Sequence, residues 1–145
     1  LFLDEPTTGV DPVSRRVIWD YIMESRREGK TVILTTHYID EAELLSDKVA
    51  IIDRGKIVKE GTPSDIRNTF KHEYVVVVHG LDRMDLEDLR ECGETLIIRN
   101  TYYIYTDDVR CVEDRLPELL KKRAELYIRP VKLEDVFIRL VGGAE

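Results

Sequence analysis

The first forty residues contain two short apolar runs separated by an amphipathic stretch. The run Leu1-Phe2-Leu3 predicts the end of a buried parallel strand, and residues 31–35 predict a second one. Asp11 is suited to cap a helix with Pro12 in its first turn, and Gly29 is suited to end it. Apolar positions recur between them at helical spacing: Val13, Val17, Ile18, Tyr21 and Ile22. Strand, helix and strand with short connections predict a right-handed βαβ unit.

The following segment predicts a short helix, a hairpin and a further helix start. Apolar residues at 42, 44 and 45 indicate the helix, and residues 48–53 and 56–60 indicate two strands. Arg54-Gly55 between these strands is typical of a tight hairpin turn. Thr62-Pro63-Ser64-Asp65 has the capping-box pattern that begins a helix.

The second half of the chain has a different pattern, which follows a charged linker at residues 70–73. Its predicted elements are a strand at 74–78, a helix near 85–91, strands at 95–99 and 102–106, a helix carrying Val109, Val112, Leu116, Leu119 and Leu120, and a strand at 126–129. The order βαββαβ predicts a small α+β extension of the ferredoxin-like, split βαβ type. An amphipathic helix at 133–140 follows it. We therefore predict an α/β domain at residues 1–72 and an extension domain at 73–145.

Composition limits the function classes. The chain has 145 residues, is 43% hydrophobic and carries a net charge of −7, which is typical of a globular protein and argues against nucleic-acid binding. No apolar run approaches the roughly 20 residues that span a bilayer. Cys92 and Cys111 form no CxxC pair and have no metal-site spacing, so the sequence predicts two reduced thiols.

Three polar residues follow the two predicted parallel strands. Asp4 and Glu5 come directly after the first strand, and His37 comes shortly after the second. Open α/β sheets bind ligands at the carboxyl edge, where such residues meet. Phosphoryl-transfer enzymes need a carboxylate that holds magnesium and a group that orients or deprotonates the attacking water. We therefore expect these residues to lie together at one edge of the sheet.

These segments jointly resemble one protein family. Leu1-Phe2-Leu3-Asp4-Glu5-Pro6 resembles the Walker B motif of ABC ATPases, Thr8-Gly9-Val10-Asp11-Pro12 resembles their D-loop, and Thr35-Thr36-His37 resembles their H-loop. The resemblance extends in order through residues 40–63 and covers residues 1 to about 70. It implies that the first domain is the C-terminal part of the parallel sheet of a P-loop NTPase.

The resemblance also implies roles for individual residues. Asp4 would help to hold magnesium, through water, and Glu5 would be the general base that polarises the attacking water. His37 would contact the γ-phosphate of ATP. Asp11 would lie across a dimer interface and couple two ATP sites, although it also suits a plain helix cap.

Other motifs of that family are not found in these 145 residues. They are the GxxxxGK(S/T) loop, the LSGGQ-type signature, the Q-loop glutamine and the adenine-stacking aromatic residue. All four belong upstream of Walker B in the family. We therefore expect the chain to be a C-terminal fragment that does not hydrolyse ATP by itself.

The second half resembles the C-terminal extension of export-type ABC ATPases, which commonly ends in a helix of the type Leu133-Glu134-Asp135-Val136-Phe137. This resemblance implies the cytoplasmic, membrane-peripheral ATPase subunit of an exporter, acting as a homodimer on a membrane permease. Two alternatives remain open at this point. One is a soluble ABC ATPase of DNA repair or translation, and the other is a non-catalytic regulatory or dimerisation module.

Overall fold

The computed structural model describes residues 1–80, 87–115, 117, 121 and 124–141. Its helices are α1 Pro12–Arg27, α2 Ile39–Leu45, α3 Pro63–Arg67, α4 Glu87–Arg90, α5 Val109–Glu113 and α6 Leu133–Val141. Its strands are β1 Phe2–Asp4, β2 Ile33–Thr35, β3 Val49–Asp53, β4 Lys56–Gly61, β5 Tyr74–His79, β6 Glu94–Ile98, β7 Thr101–Thr106 and β8 Glu125–Pro130. None of these helices is long and apolar enough to cross a membrane. The chain divides into two compact units, residues 1–69 with α6, and residues 70–132.

The first unit begins with the predicted strand, helix and strand. β1 pairs with β2 in parallel, and α1 lies between them in the chain. Asp11 caps α1, as predicted, because its side chain accepts hydrogen bonds from the backbone N–H groups of Val13 and Ser14. The helix ends before Gly29, whose positive φ of 84° suits a residue without a Cβ atom.

The apolar faces of β1 and α1 are less buried than their pattern predicts. Ile22 is buried, as expected, but Val13, Val17 and Tyr21 are all more than 60% exposed. Phe2, in the strand predicted to be buried, is 82% exposed. The periodicity therefore predicted the helix itself, but the described chain leaves three of its five apolar positions largely uncovered.

The rest of the first unit consists of a hairpin and two short helices joined by α6. β3 and β4 pair antiparallel around Arg54 and Gly55, and both turn residues have positive φ, which is typical of a type I′ turn. Thr62 caps α3, as the capping-box pattern predicts. α6 packs against α2 and α3, and the N–H of Leu133 donates to Glu43 Oε2 at 3.4 Å. The sequence pattern places this helix in the extension domain at 73–145, whereas in the structure it belongs to the first unit.

The second unit is built on one antiparallel sheet with the strand order β6-β7-β5-β8. All four valines of β5, Val75–Val78, are fully buried, because both faces of the sheet carry apolar clusters. One face holds Val76, Val78, Leu89, Tyr102, Ile104 and Val112, and the other holds Val75, Val77, Tyr105 and Val131. The mixed α/β class is thus confirmed. The predicted helix positions 85, 86, 116, 119 and 120 lie outside the described residues.

The two cysteines differ from their prediction. Cys92 and Cys111 form a disulfide, with their Cα atoms 5.5 Å apart, so the prediction of two reduced thiols is wrong. Their separation of 19 residues matches no local cysteine motif, so the bond could not be predicted from spacing. The packing of Cys92 and Cys111 with the α4 and α5 residues Leu89 and Val112, on one face of the sheet, brings the two sulfur atoms together.

Gly93 directly precedes β6 and lies against the backbone of Tyr105 in β7, and this contact generates a prediction. A Cβ atom at Gly93 would overlap the carbonyl oxygen of Tyr105 and lie 2.9 Å from its carbonyl carbon. We expect Gly93→Ala to lower the free energy of unfolding of the second unit by about 2–3 kcal/mol, because backbone atoms must move apart. The measurement is urea denaturation followed by near-ultraviolet dichroism of the tyrosines.

Gly55→Ala is the control, because a Cβ atom there meets nothing within 4 Å and only the positive φ of 76° opposes it. It should cost about 1 kcal/mol. Equal losses for the two variants would show that Gly93 is not sterically required.

The exposed edge of β2 generates a second prediction. A cavity of about 370 Å³ borders this strand and is lined by Leu34, Ile39, Ala50, Ile52 and Phe137, among others. Unpaired strand edges with apolar side chains recruit other chains, so we expect a homodimer or larger oligomer in solution. Light scattering over a concentration series measures this association.

Ile33→Lys should shift the protein towards monomer, because Ile33 lies on β2 and is 52% exposed. Leu44→Lys, at a residue of α2 that is 53% exposed, should leave the association unchanged, because it lies on a helix and not on a strand edge. A parental protein that is monomeric at every concentration would contradict the expectation.

Candidate active site

Parallel pairing of β1 with β2 brings the three predicted residues to one edge. Asp4 is the last residue of β1 and lies opposite Thr35, the last residue of β2. Glu5 follows Asp4, and its N–H donates to the carbonyl of Thr35 at 2.9 Å. His37 Nδ1 then lies 2.6 Å from Glu5 Oε2. The sequence therefore predicted this juxtaposition correctly, and the strand register is its cause.

Glu5 is held from both sides and has an unusual backbone. Its Oε2 atom also accepts a hydrogen bond from Thr8 Oγ1 at 2.7 Å. Its φ angle is 46°, a left-handed conformation that few non-glycine residues adopt. This conformation turns the chain sharply after the strand. The Thr8 hydroxyl, and secondly the His37 imidazole, lower the pKa of the Glu5 carboxyl because both favour its charged form.

Asp4 has a different neighbour. Its Oδ1 atom accepts a hydrogen bond from Thr35 Oγ1 of the adjacent strand. Within the described ranges, no group of three or more His, Cys, Asp or Glu side chains could enclose a metal ion. A single carboxylate at a sheet edge is nevertheless consistent with Mg²⁺, which usually keeps several waters and takes its other ligands from substrate phosphates.

Asp11 has partners of its own, at the start of α1. Its Oδ1 atom accepts from the N–H groups of Val13, at 2.9 Å, and Ser14, at 3.1 Å. A hydrogen bond with the Ser14 side chain, and after it the one from the Ser14 N–H, lowers the pKa of the Asp11 carboxyl. Its contacts in this chain are therefore those of a helix cap.

Several side chains around His37 were not singled out from the sequence. The Tyr38 ring lies against the imidazole of His37, with ring centroids 4.1 Å apart. The Arg15 guanidinium carbon lies over the Tyr38 ring, 4.4 Å from its centroid. Trp19 Nε1 donates to the buried carboxylate of Glu41 at 2.7 Å. Trp19 and Glu41 are 22 residues apart and form no sequence motif, so their hydrogen bond is seen only in the packing of α1 on α2.

The arrangement supplies a carboxylate pair and an imidazole at one open edge. The Glu5 side chain is 42% exposed and that of His37 is 53% exposed, so both can reach a ligand in solvent. Glu5 is charged at neutral pH and can accept a proton from a water molecule. His37 can donate or accept a hydrogen bond through its second ring nitrogen. These are the groups required to orient and deprotonate a water that attacks a phosphate.

Comparison with curated proteins identifies relatives along nearly the whole chain. It is 39% identical over 146 residues to a Nod factor export ATP-binding protein I of Rhizobium etli, covering 98% of this chain and 45% of that protein. Similar proteins of the same name occur in Paraburkholderia xenovorans, 40% identical with 47% of the relative covered, and Neorhizobium galegae, 36% identical with 41% covered. The chain thus spans less than half the length of these relatives. No protein-family model matches it.

The hydrogen bonds of Glu5 generate a prediction about its titration. Thr8→Val should raise the pKa of Glu5 towards that of a free glutamate, because it removes the hydrogen bond that lowers this pKa most, and His37→Gln should raise it as well. Carboxyl-carbon NMR as a function of pH measures both values.

The lowered pKa of Glu5 determines how the stability of the fold changes with pH. The stabilisation from ionised Glu5 is present above the pKa of the unfolded chain and is lost as the pH falls through the lower, folded value. Thr8→Ser keeps the hydroxyl and should keep the parental pKa. An unchanged pKa of Glu5 in Thr8→Val would contradict the prediction.

Proposed function

We propose that this chain, which is related to the ATP-binding subunits of ABC transporters, carries the hydrolytic edge of such a subunit. The observation that carries the proposal is the 2.6 Å contact between His37 and Glu5 at the paired ends of β1 and β2. A general base and a phosphate-contacting imidazole must both face the terminal phosphate of ATP, and this contact keeps them together. The names of the relatives support nucleotide binding as the function of the whole protein.

Glu5 and His37 have distinct roles in this proposal. Glu5 is the general base that orients and deprotonates the attacking water. His37 donates through its second ring nitrogen to an oxygen of the γ-phosphate while Nδ1 donates to Glu5, which requires the doubly protonated ring. The left-handed backbone of Glu5 turns the residue out of the strand direction and supports this assignment, because strained residues concentrate at functional sites.

Asp4 and Asp11 are proposed as supporting groups. Asp4 would hold magnesium through water, and the ion would supply charge neutralisation for the phosphates when bound. The Thr35 hydroxyl fixes the orientation of this carboxylate. Asp11 would contribute to the interface between two ATPase subunits through the loop that it closes, while its side chain caps α1.

The setting proposed for the whole protein is export across a membrane. The relatives are named for the export of Nod factor, which favours an exporter over an ATPase of DNA repair or translation. Two subunits would bind two ATP molecules between them at the cytoplasmic face of the membrane and drive a permease. The permease, not this chain, would select the transported molecule.

The second unit is proposed as a ferredoxin-like extension with a regulatory role. The element order βαββαβ and the strand order β6-β7-β5-β8 support this fold. Its disulfide and apolar clusters stabilise its sheet. We assign the chemistry to the first unit, because Glu5 and His37 meet there.

The central test is Glu5→Gln in the full-length protein that includes this sequence. Hydrolysis should fall by about 10²–10⁴-fold, because the base is removed while the shape of the side chain is retained. ATP binding, measured by equilibrium titration, should persist. Glu60→Gln is a matched control on β4, where the carboxylate only pairs with Lys48, and it should leave turnover unchanged. Parental turnover by Glu5→Gln would remove Glu5 from the proposed role.

The chain of residues 1–145 provides a second arm of the test. It should show no magnesium-dependent ATP hydrolysis, because no GxxxxGK(S/T) loop is present in it to position the phosphates. Turnover by this chain that Glu5→Gln abolishes would show that the phosphates are positioned in another way.

A further inference from the structure

Three side chains form a continuous stack that ends on the catalytic pair. The guanidinium carbon of Arg15 lies 4.4 Å from the centre of the Tyr38 ring. The Tyr38 ring lies 4.1 Å from the His37 imidazole at an angle of 39°. His37 in turn lies 2.6 Å from the Glu5 carboxylate. Arg15 and Tyr38 therefore reach Glu5 only through His37.

The Arg15 end of this stack is anchored in α1. Arg15 lies one turn into the helix, where its N–H donates to the carbonyl of the capping residue Asp11 at 2.9 Å. Its Nε atom is buried and has no hydrogen-bond partner among the described residues. Because Nε has no hydrogen-bond partner, the guanidinium is oriented by its contact with the face of the Tyr38 ring.

The Tyr38 end lies in the turn that carries His37. Tyr38 precedes α2 and occupies its N-cap position, but its side chain makes no capping hydrogen bond. The N–H of Tyr38 donates to Thr36 Oγ1 at 3.0 Å, which fixes the backbone of the turn. The Tyr38 ring is therefore not needed to hold the backbone of the turn, and it can contact Arg15 and His37.

A separate contact fastens the two helices behind the stack. Trp19 on α1 donates through Nε1 to Glu41 on α2 at 2.7 Å, and Glu41 is fully buried. Because Trp19 lies one turn beyond Arg15, this bond holds α1 and α2 together independently of the Arg15 guanidinium. Loss of the stack therefore need not separate the helices.

We propose that Arg15 and Tyr38 are positioning residues for hydrolysis, which together hold the His37 imidazole on Glu5. The stack restricts rotation of the imidazole, so that its Nδ1 atom remains on the carboxylate and its other nitrogen faces the ligand. It also connects the Asp11 loop to His37 through a single helical turn. A displacement of that loop is transmitted to the imidazole through Arg15 and Tyr38. The role in hydrolysis rests on the function proposed above, but the positioning of His37 does not.

The geometry can be tested by NMR without any nucleotide. In the chain of residues 1–145, ring current from Tyr38 should shift the imidazole protons of His37 upfield. The chain has three histidines, so His37→Gln assigns these signals. Tyr38→Leu should abolish the shift and Tyr38→Phe should retain it. Arg15→Gln should reduce it, because the ring loses the cation that orients it, while Arg16→Gln at the adjacent exposed position should not.

Fluorescence separates positioning from a loss of structure. Trp19 is the only tryptophan of the chain, so its emission reports the contact between α1 and α2. It should be unchanged in Arg15→Gln and Tyr38→Leu. Should either variant instead expose Trp19, Arg15→Lys keeps the test informative, because it keeps a cation without the planar guanidinium and should still reduce the shift.

Turnover tests the functional half of the proposal in the full-length protein. Arg15→Gln and Tyr38→Leu should each lower kcat by about three- to tenfold, the range expected for one oriented cation–aromatic contact, with KM for ATP changed less than about twofold. The double variant should be no slower than the slower single variant, because both act on one imidazole. Tyr38→Phe should restore parental kcat.

The imidazole shift of His37 and the value of kcat test different parts of the proposal. An imidazole shift unaffected by Tyr38→Leu or Arg15→Gln would overturn the positioning proposal, whatever the turnover. Loss of the shift together with parental kcat would show that His37 is held by the stack but is not needed in that position for hydrolysis. Additive effects on kcat would show that Arg15 and Tyr38 act separately, which also contradicts the proposal.

Discussion

The register between β1 and β2 is the constraint on which the candidate site depends. Parallel pairing places Asp4 opposite Thr35, and the hydrogen bond from the Glu5 N–H to the Thr35 carbonyl extends this pairing by one residue. A slip by one residue would move every side chain of the strand to the other face of the sheet. Glu5 and His37 would then leave the strands in different directions. The arrangement of side chains at this edge is therefore set by backbone pairing.

The charge state of the site is set by hydrogen bonds more than by burial. The pKa of Glu5 is lowered by Thr8 and His37, while the opposing effect of desolvation is smaller. A base with a lowered pKa accepts a proton less readily, and general bases work best when their pKa lies near the working pH. Covering this exposed edge would strengthen desolvation and raise the pKa of Glu5. A surface that closes over the site would thus increase the basicity of Glu5 as it excluded water.

The sequence was most informative where structure depends on local interactions. The Asp11 and Thr62 caps, the turn at Arg54-Gly55 and the parallel strands were all predicted, because each requires particular residue types at fixed spacing. The Trp19–Glu41 bond and the Arg15–Tyr38 contact were not, since both join separate helices through side chains. The Cys92–Cys111 bond was missed for the same reason. Periodicity also could not show what covers an apolar face, which is why the exposure of Val17 was unexpected.

The second unit is inserted between α3 and α6 of the first, and its own sheet explains why this is possible. β5 leads into the unit and β8 leads out, and these strands are antiparallel neighbours, with Tyr74 opposite Pro130. The N–H of Val131 donates to the carbonyl of Glu73 at 2.9 Å, so the entering and leaving chains are hydrogen-bonded to each other. Units whose ends are adjacent can be inserted without stretching the host chain. The chain can then continue directly into α6, whose first N–H reaches Glu43 of α2 and whose packing completes the first unit.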